Sequence, residues 1–580
     1  MKPVERLGAW MRAALKRSPA VRQVVYRRRL HTGQPDWRRA LERDGRAWRE
    51  ARTAAAGGPG VLVATSVGAM LAATNVDSAL AAALTLRGAR VHFLLCDGAL
   101  PACLNCVSAT FPRLDRFADT GPAAELCSGC FGSATRALDP LGLPMQRYGD
   151  HLAAEDFTRA EHAAATVPCA DIPHHKADGV SVGEHALAGA LRFFARGTLE
   201  SEPLGETVLR RYFRAALLTV TVAQRLLRTG TFECVVLHHG IYVPQGMIAE
   251  VARREGVRVV TWNPAYRKRC FVFSHDDTYH HTLMNEPVDR WEDIPWTTAR
   301  ERRLLDYLKT RAEGSEDWIW FHEAPQENID MVERALGVSF ARPVVGLLTN
   351  VAWDAQLHYP ARAFPGQTEW LLTTIDYFAR RPDLQLVIRI HPAEVRGTIP
   401  SRERMADVIR KAWPTLPPNV FIVPPESPIS TYAVMVRCDA VLIYGTKTGV
   451  ELTSVGVPVI VAGEAWIRNK GIALDVESPA HYFTVLDELP LRRRITGDQL
   501  VRARKYAYHF FFRRMIPLDC MAPRRTPRVF PPYRLRVANL DSLRPGASAG
   551  LDVVCDGILR GTDFIFRDED VPSPGSTPEP

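Results

Sequence analysis

From residue 61 onward, short runs that are apolar throughout alternate with longer stretches whose apolar positions recur with a helical period. VLVAT (61–65) reads as a strand, AMLAATNVDSALAAALTLRG (69–88) as an Ala/Leu-rich helix ending at Gly88, and RVHFLLC (90–96) as a second strand. Together they form a β-α-β unit, expected to wind right-handed into a parallel sheet. A long helical region over 182–230 precedes CVVLHHG (234–240), a helix through GMIAEVARREG and the strand RVVTW (258–262). A second series then runs through PVVGLLTN, helix 367–380, LQLVIRIHP, helix 401–412, NVFIVPP, helix 428–437, AVLIYGT, helix 448–455 and VPVIVAG. Strands without polar alternation are those of a sheet covered on both faces. The expected fold is therefore α/β, with two Rossmann-like doubly wound domains facing a cleft. Its parts are a basic amphipathic segment (1–60), a first domain (61–325) with a cysteine-rich insertion (96–130), a second domain (326–517) and a C-terminal extension (518–580). The end of that extension, VPSPGSTPEP, reads as disordered.

Length and composition fit this division. At 580 residues and 46% hydrophobic, the chain can bury a large core over two or three domains. No apolar run is long enough for a membrane span. The N-terminal segment has neither an uninterrupted apolar core nor a small-residue cleavage site, so a cytoplasmic protein is expected. The net charge of +9 is concentrated: residues 1–60 hold fifteen Lys/Arg against five Asp/Glu. Within them Val4, Leu7, Trp10, Met11, Ala14 and Leu15 recur at helical spacing among Arg6, Arg12, Lys16 and Arg17. Such a helix either lies on an anionic membrane surface, here the inner membrane, or packs its stripe on the body.

Ligands of open α/β sheets bind beyond the carboxyl ends of the strands. In the second half those ends carry Arg389 and His391, then Ser427 after VPPE, then Thr446, Thr448, Gly449 and Glu451 in YGTKTGVE. Hydroxyls and backbone N–H groups at helix starts form anion sites, and His391 and Arg389 can meet the same anion; the plainer reading is that these residues are helix and loop caps. TSVGAM, in the first β-α turn, lacks the dinucleotide fingerprint, and no G-x-S-x-G occurs.

The series RIHP, ESPIS and YGTKTGVELTSVGVPVIVAGEAWIRNKGI resembles the nucleotide-binding half of GT-B glycosyltransferases. More narrowly, it is similar to bacterial capsule polysaccharide biosynthesis proteins, among them transferases of the acidic sugar Kdo that use a CMP-activated donor. The resemblance covers roughly 340–480, with 230–290 as a further recognisable block. It implies that His391, Ser427, Thr446 and Thr448 bind donor phosphate and that Glu451 binds ribose or base. Trp466 and Ile467 stand where the family carries an aromatic-tyrosine pair. Transfer from a nucleotide-sugar to a polysaccharide or lipid-linked acceptor is the function implied.

The first half then forms the acceptor wall. His239 and Tyr242 lie past one strand, Asn263, Arg267 and Lys268 past the next, and Asp276 and Asp277 follow. Sugar transfer needs a base for the acceptor hydroxyl or a carboxylate beside the developing cation, so His239, Asp276 and Asp277 are the catalytic candidates. Tyr242, Asn263, Arg267 and Lys268 are candidates for holding the acceptor; a core-facing histidine and an ordinary Asp-Asp turn are the plainer alternatives. Cys103, Cys106, Cys127 and Cys130 follow C-x2-C-x20-C-x2-C, the pattern of two metal knuckles, and a structural zinc is expected. Buried unligated thiols and an iron–sulfur cluster are the alternatives. A nucleotide-sugar epimerase of the same architecture and a zinc-containing binding protein are the rival functions. Nucleic acid is disfavoured, because 96–130 holds four acids, two arginines and only two aromatics, Phe111 and Phe117.

Overall fold

The computed structural model describes residues 19–111, 113–318, 321, 325–354, 362–524 and 531–567. The expected apolar stripe at residues 4–15 and the terminal segment 568–580 lie outside them. The first sheet contains β1 (Gly60–Ser66), β2 (Arg90–Leu95), β3 (Met145–Arg147), β4 (Cys234–His238), β5 (Arg258–Pro264) and β6 (Cys270–His275), in the order β3-β2-β1-β4-β5-β6. The first five are mutually parallel, with Val61 opposite Val91 and Leu62 opposite Val235; β6 runs antiparallel to β5, Trp262 opposite Phe273. The second sheet contains β7 (Val344–Leu348), β8 (Gln385–Arg389), β9 (Val420–Val423), β10 (Ala440–Ile443), β11 (Val459–Val461) and β12 (Leu474–Asp475), in the order β9-β8-β7-β10-β11-β12 and parallel throughout. Both sheets share one doubly wound order, in which the chain starts at the centre and reverses direction between its first and fourth strands. That reversal opens a crevice at the carboxyl ends of β1 and β4 in one lobe, and of β7 and β10 in the other.

Burial explains the sequence pattern. All seven residues of β1 and all five of β7 are buried, because helices cover both faces of each sheet. Leu71–Thr85 is a helix buried along its whole length, so it shows no amphipathic stripe and is built largely of alanine. What covers its far side is the C-terminal segment. After helix Gly497–Tyr508, β13 (Ile516–Pro517) returns to the first sheet and pairs antiparallel with β6. A hairpin of Met521–Pro523 with Tyr533–Leu535 and a helix Ala549–Arg560 then pack on the first lobe, burying Tyr533, Leu551, Val554, Ile558 and Phe564.

Residues 518–524 and 531–567 of the C-terminal extension are thus part of the first lobe's core. The long helical region is two helices, Val182–Phe194 and Gly205–Leu227, broken where Ala195 takes a left-handed backbone, φ 53°. The basic segment enters the described residues as helix Pro19–Gly33, which buries Leu30 and leaves Val24 and Val25 exposed. Among the described residues no helix is long and apolar enough to cross a membrane.

Candidate functional site

β4 ends at His238, and the next residue turns the chain with a left-handed backbone, φ 64° at His239. Such a φ is strained for a side-chain-bearing residue and persists only where the surroundings hold it. Here His239 N–H donates to the Trp262 carbonyl at 2.9 Å. Beneath the turn, Thr65 Oγ1 accepts from His238 N–H at 3.0 Å, and Trp262 Nε1–H donates to the buried Asp77 carboxylate at 2.9 Å. Burial pushes Asp77 up to about 7 against its bonds from Thr65 and Trp262. The His239 ring lies 5.4 Å from Tyr242, 6.0 Å from Tyr279 and 5.7 Å from His280. Its Nδ1 is buried without a hydrogen-bond partner among the described residues. Burial, aided by the nearby Arg192 charge, pulls the imidazole down to about 4, so it is neutral at pH 7. Asn263 lies beside both His238 and Tyr279. Tyr242 Oη–H donates to Asp354 Oδ1 of the second lobe at 3.1 Å, beneath the Arg192 guanidinium.

The facing wall comes from the second sheet. Past β7, Thr349 Oγ1 accepts from His391 N–H at 3.1 Å, and His391 Nδ1 accepts from Ala393 N–H at 3.1 Å. An accepting Nδ1 leaves the proton of a neutral imidazole on Nε2, so His391 is a neutral N–H donor. Burial, with the Lys447 and Arg389 charges, pulls it down to about 4. Past β10, Thr446 and Thr448 place their hydroxyl oxygens 3.3 Å apart. Between them Lys447 stands 4.8 Å over the Tyr266 ring of the first lobe and pairs with Glu451 Oε1 at 2.6 Å. Trp466 completes the contact with the first lobe, 6.1 Å from both Tyr279 and His280.

Of the residues singled out by sequence, His239, Tyr242, Asn263, His391, Thr446 and Thr448 come together at these strand ends. Ser427 stays nearby, its Oγ accepting from Ile429 N–H at 3.3 Å. Others are differently engaged. Asp276 takes a left-handed turn that closes β6 onto the start of β5, its Oδ1 accepting from Val259 N–H at 3.0 Å. Asp277 Oδ1 accepts from Thr278 N–H at 2.7 Å and pairs with His281 at 2.9 Å. Neither is a free carboxylate for a reacting sugar; the antiparallel β6 is what turns them into local caps. Arg267 donates to the Phe511 carbonyl and stacks 4.5 Å over Phe512, and Lys268 donates to the Ser315 carbonyl, so both fasten the β5–β6 turn to the segment that joins the lobes. Arg389 is 2% exposed and ties β8 to the following loop through Thr431 Oγ1 at 3.1 Å and the Pro424 carbonyl at 2.6 Å. A Cβ on Gly449 would stand 2.7 Å from Ile467, so the glycine serves helix–strand packing.

Glu451 is buried, and both its oxygens have protein partners: Arg311 at 2.5 Å, Lys447 at 2.6 Å and the Tyr432 hydroxyl at 2.8 Å. Burial pushes its pKa up, but the two cations outweigh it and hold the carboxylate below its ordinary range. It organises the site from behind and has no lone carboxylate face to offer a ribose. Sequence reasoning missed Arg311, Lys447, Asp354 and Arg192. Lys447 had a signal, standing inside the hydroxyl-rich turn, and so had Asp354, just past β7.

The four patterned cysteines lie on two segments of the first lobe, Cys103 and Cys106 in the loop after β2 and Cys127 and Cys130 at the start of helix Ser128–Leu138. Cys103 Sγ lies 3.9 Å from Cys106 Sγ, and Cys130 Sγ accepts from Ala69 N–H at 3.1 Å. Among the described residues no three His, Cys, Asp or Glu side chains already form a metal-binding group. A cavity of about 660 Å³ lies elsewhere, where the strands of the first sheet begin, and its Arg228 and Glu255 pair with each other.

No protein-family model matches the chain, and neither does any curated protein. Among solved structures it is similar to a beta Kdo 2,4 transferase, KpsC of Thermosulfurimonas dismutans, at 12% identity over 48% of this chain and 79% of that one, with a TM-score of 0.32. A beta Kdo 2,7 transferase of the same organism matches at 10% identity over 50% and 80%, TM-score 0.28. A UDP-GlcNAc 2-epimerase from Neisseria meningitidis bound to UDP-GlcNAc matches at 11% identity over 77% and 96%, TM-score 0.23. Likeness of this degree carries no argument about function, which rests on the strand order and on the residues at the strand ends.

Proposed function

We propose that this chain is a glycosyltransferase that moves a sugar from a nucleotide-activated donor to a polysaccharide or lipid-linked acceptor. One observation carries the reading: the two crevices where strand order reverses face each other, one bearing hydroxyls, a neutral imidazole N–H and a lysine, the other a neutral histidine among aromatic rings. The donor phosphate is assigned to His391, Thr446 and Thr448, with the Lys447 charge stabilising the phosphate that leaves. The acceptor is assigned to the wall of Tyr242 and Asn263. Its hydroxyl oxygen attacks the anomeric carbon as the bond to the phosphate oxygen breaks, and its proton passes to His239, which is neutral and able to accept it. A CMP-linked acidic sugar is the finer assignment for the donor, and a cytoplasmic site on the inner-membrane surface the finer assignment for location.

Titration with CMP, UDP and GDP fixes the donor class. Replacing His391 by Ala should weaken the preferred nucleotide by roughly ten- to a hundredfold, the loss of about 1.5–3 kcal/mol for a bond to a charged group. His239→Ala should leave nucleotide affinity within about twofold of the parent while transfer to acceptor collapses. If no nucleotide binds the parent, or if His391→Ala binds as the parent does, the donor site lies elsewhere and the reading fails. Conversion of a sugar nucleotide to its epimer without transfer would assign an epimerase instead.

A further inference from the structure

The cleft chemistry makes no use of the sulfur atoms beside it. Cys103 and Cys106 sit in the loop that leaves β2, and Cys127 and Cys130 sit three residues apart where helix Ser128–Leu138 begins, so their side chains share one helix face. The fold brings these two separate segments together. A Cβ on Gly98, in the first loop, would stand 3.5 Å from Cys127 Cβ, and Tyr212 Oη–H reaches the carbonyls of both Cys103 and Cys106.

Three features of this cluster match a metal rather than idle thiols. First, the Cys103–Cys106 separation of 3.9 Å is that of two thiolates on one zinc: sulfurs at about 2.3 Å from a tetrahedral centre lie about 3.8 Å apart. It is too long for a disulfide, at about 2.05 Å, and too short for cysteines on different irons of a cluster. Second, Ala69 N–H donates to the Cys130 sulfur at 3.1 Å, the kind of backbone donor that a metal-bound thiolate accepts. Third, the loop between the first pair is anchored to the cleft. Leu104 N–H donates to the Val243 carbonyl at 2.7 Å, and Leu104 packs on Ile241 and Tyr242.

We infer that Cys103, Cys106, Cys127 and Cys130 bind one zinc ion as a closed four-thiolate site that buttresses the loop carrying His239 and Tyr242. The first pair already stands at ligating separation, and Cys127 and Cys130 supply the other two thiolates. Binding converts four thiols and a zinc ion into a tetrathiolate complex and releases four protons, with no oxidation. With four sulfurs bound the zinc has no open position, so it takes no part in sugar transfer.

Elemental analysis of the full-length protein, purified without chelator, is expected to give about one zinc per chain, released stoichiometrically by a mercurial in the presence of a zinc-sensitive dye. Cobalt exchanged into the chelated protein should show the absorption of tetrahedral cobalt–thiolate. Cys103→Ser and Cys130→Ser should lose the metal, whereas Cys96→Ser and Cys169→Ser should keep it. Should the first two variants fail to fold, the mercurial titration and cobalt spectrum of the parent chain still decide. Parent protein that holds no zinc and takes up none under reducing conditions overturns the inference, as does iron with labile sulfide or a mapped Cys103–Cys106 disulfide. Nucleotide titration of the same preparation reads the donor site separately, so either result stands without the other.

Discussion

Glu451 illustrates how one buried carboxylate can hold a binding surface without touching the ligand. Its partners come from three places: Arg311 from the helix Thr298–Glu313, Tyr432 from the turn after β9, and Lys447 from its own turn. Removing the charge leaves Lys447 without its ion-pair partner in a low-dielectric setting, and breaking a buried pair in this way typically costs about 3–5 kcal/mol. Glu451→Gln is therefore expected to lower the melting temperature by many degrees, and adding Lys447→Met should recover part of the loss, since Arg311 keeps its second partner, Asp317. A Glu451→Gln protein that melts with the parent would show that the carboxylate contributes no such charge balance. The sequence marked Glu451 as an acid near the hydroxyl-rich turn, but not what it does. Its chief partner, Arg311, lies on an arginine-rich helix far earlier in the chain, where nothing local distinguishes a buried guanidinium from a solvated one. The strain at His239 was equally hidden, because a left-handed φ on a histidine follows from the tertiary bonds that impose it.

Among the elements, those most legible in the sequence were the strands buried on both faces. The runs VLVA, CVVL, VVGLL and LVI have no polar position, which is the pattern of strands in a parallel sheet covered on both faces. Elements whose partners are remote were not legible. Asp276 and Asp277 read as residues following β5 until β6 is seen to run antiparallel to it, and with that reversal they become turn and cap. The C-terminal helix was hidden by its setting between a Pro/Arg-rich stretch and a terminal segment of low complexity. Yet Leu551, Val554, Ile558 and Phe564 are all at most 2% exposed, packed against the alanine helix Leu71–Thr85 and β13. Burying one such aliphatic or aromatic side chain stabilises by about 1.5–3 kcal/mol, so four exceed much of a domain's net stability. Truncation after residue 548 should therefore give aggregated protein, with the soluble fraction after expression as the measurement. A truncated chain that stays soluble and melts with the parent would mean that the helix merely rests on the lobe.

At the scale of the whole molecule, besides the cleft contacts of Tyr242 with Asp354 and of Lys447 with Tyr266, the lobes touch at two kinds of contact, and these should answer differently to perturbation. One is deep: Lys470 donates to the Met284 carbonyl at 2.7 Å, Lys505 to the Glu292 carbonyl at 2.5 Å, and Tyr506 to the Leu283 carbonyl at 3.4 Å, amid a dense aromatic cluster. The other is a rim latch built from the segment that breaks the long helical region. Arg402 N–H donates to the Ala195 carbonyl at 2.9 Å, Gly197 N–H to Glu403 Oε2 at 2.8 Å, and the Arg402 guanidinium pairs with Glu202 at 3.2 Å while standing over Phe194. The Arg402 side chain is 41% exposed, so its pair is worth at most about 1 kcal/mol and is screened by salt. The deep contact is too large to release, whereas the latch is weak enough to open thermally and strong enough to favour closure. An Arg402→Ala/Glu403→Ala protein should accordingly show a larger radius of gyration by small-angle X-ray scattering at low salt. The parent should drift toward that value as salt rises, and melting temperatures should stay close because the hinge aromatics are untouched. A nucleotide at His391 together with an acceptor at Tyr242 should draw the double variant back toward the parent's dimensions. If parent and variant scatter alike at every salt concentration, the rim contacts are passive and the lobes are held by the hinge alone.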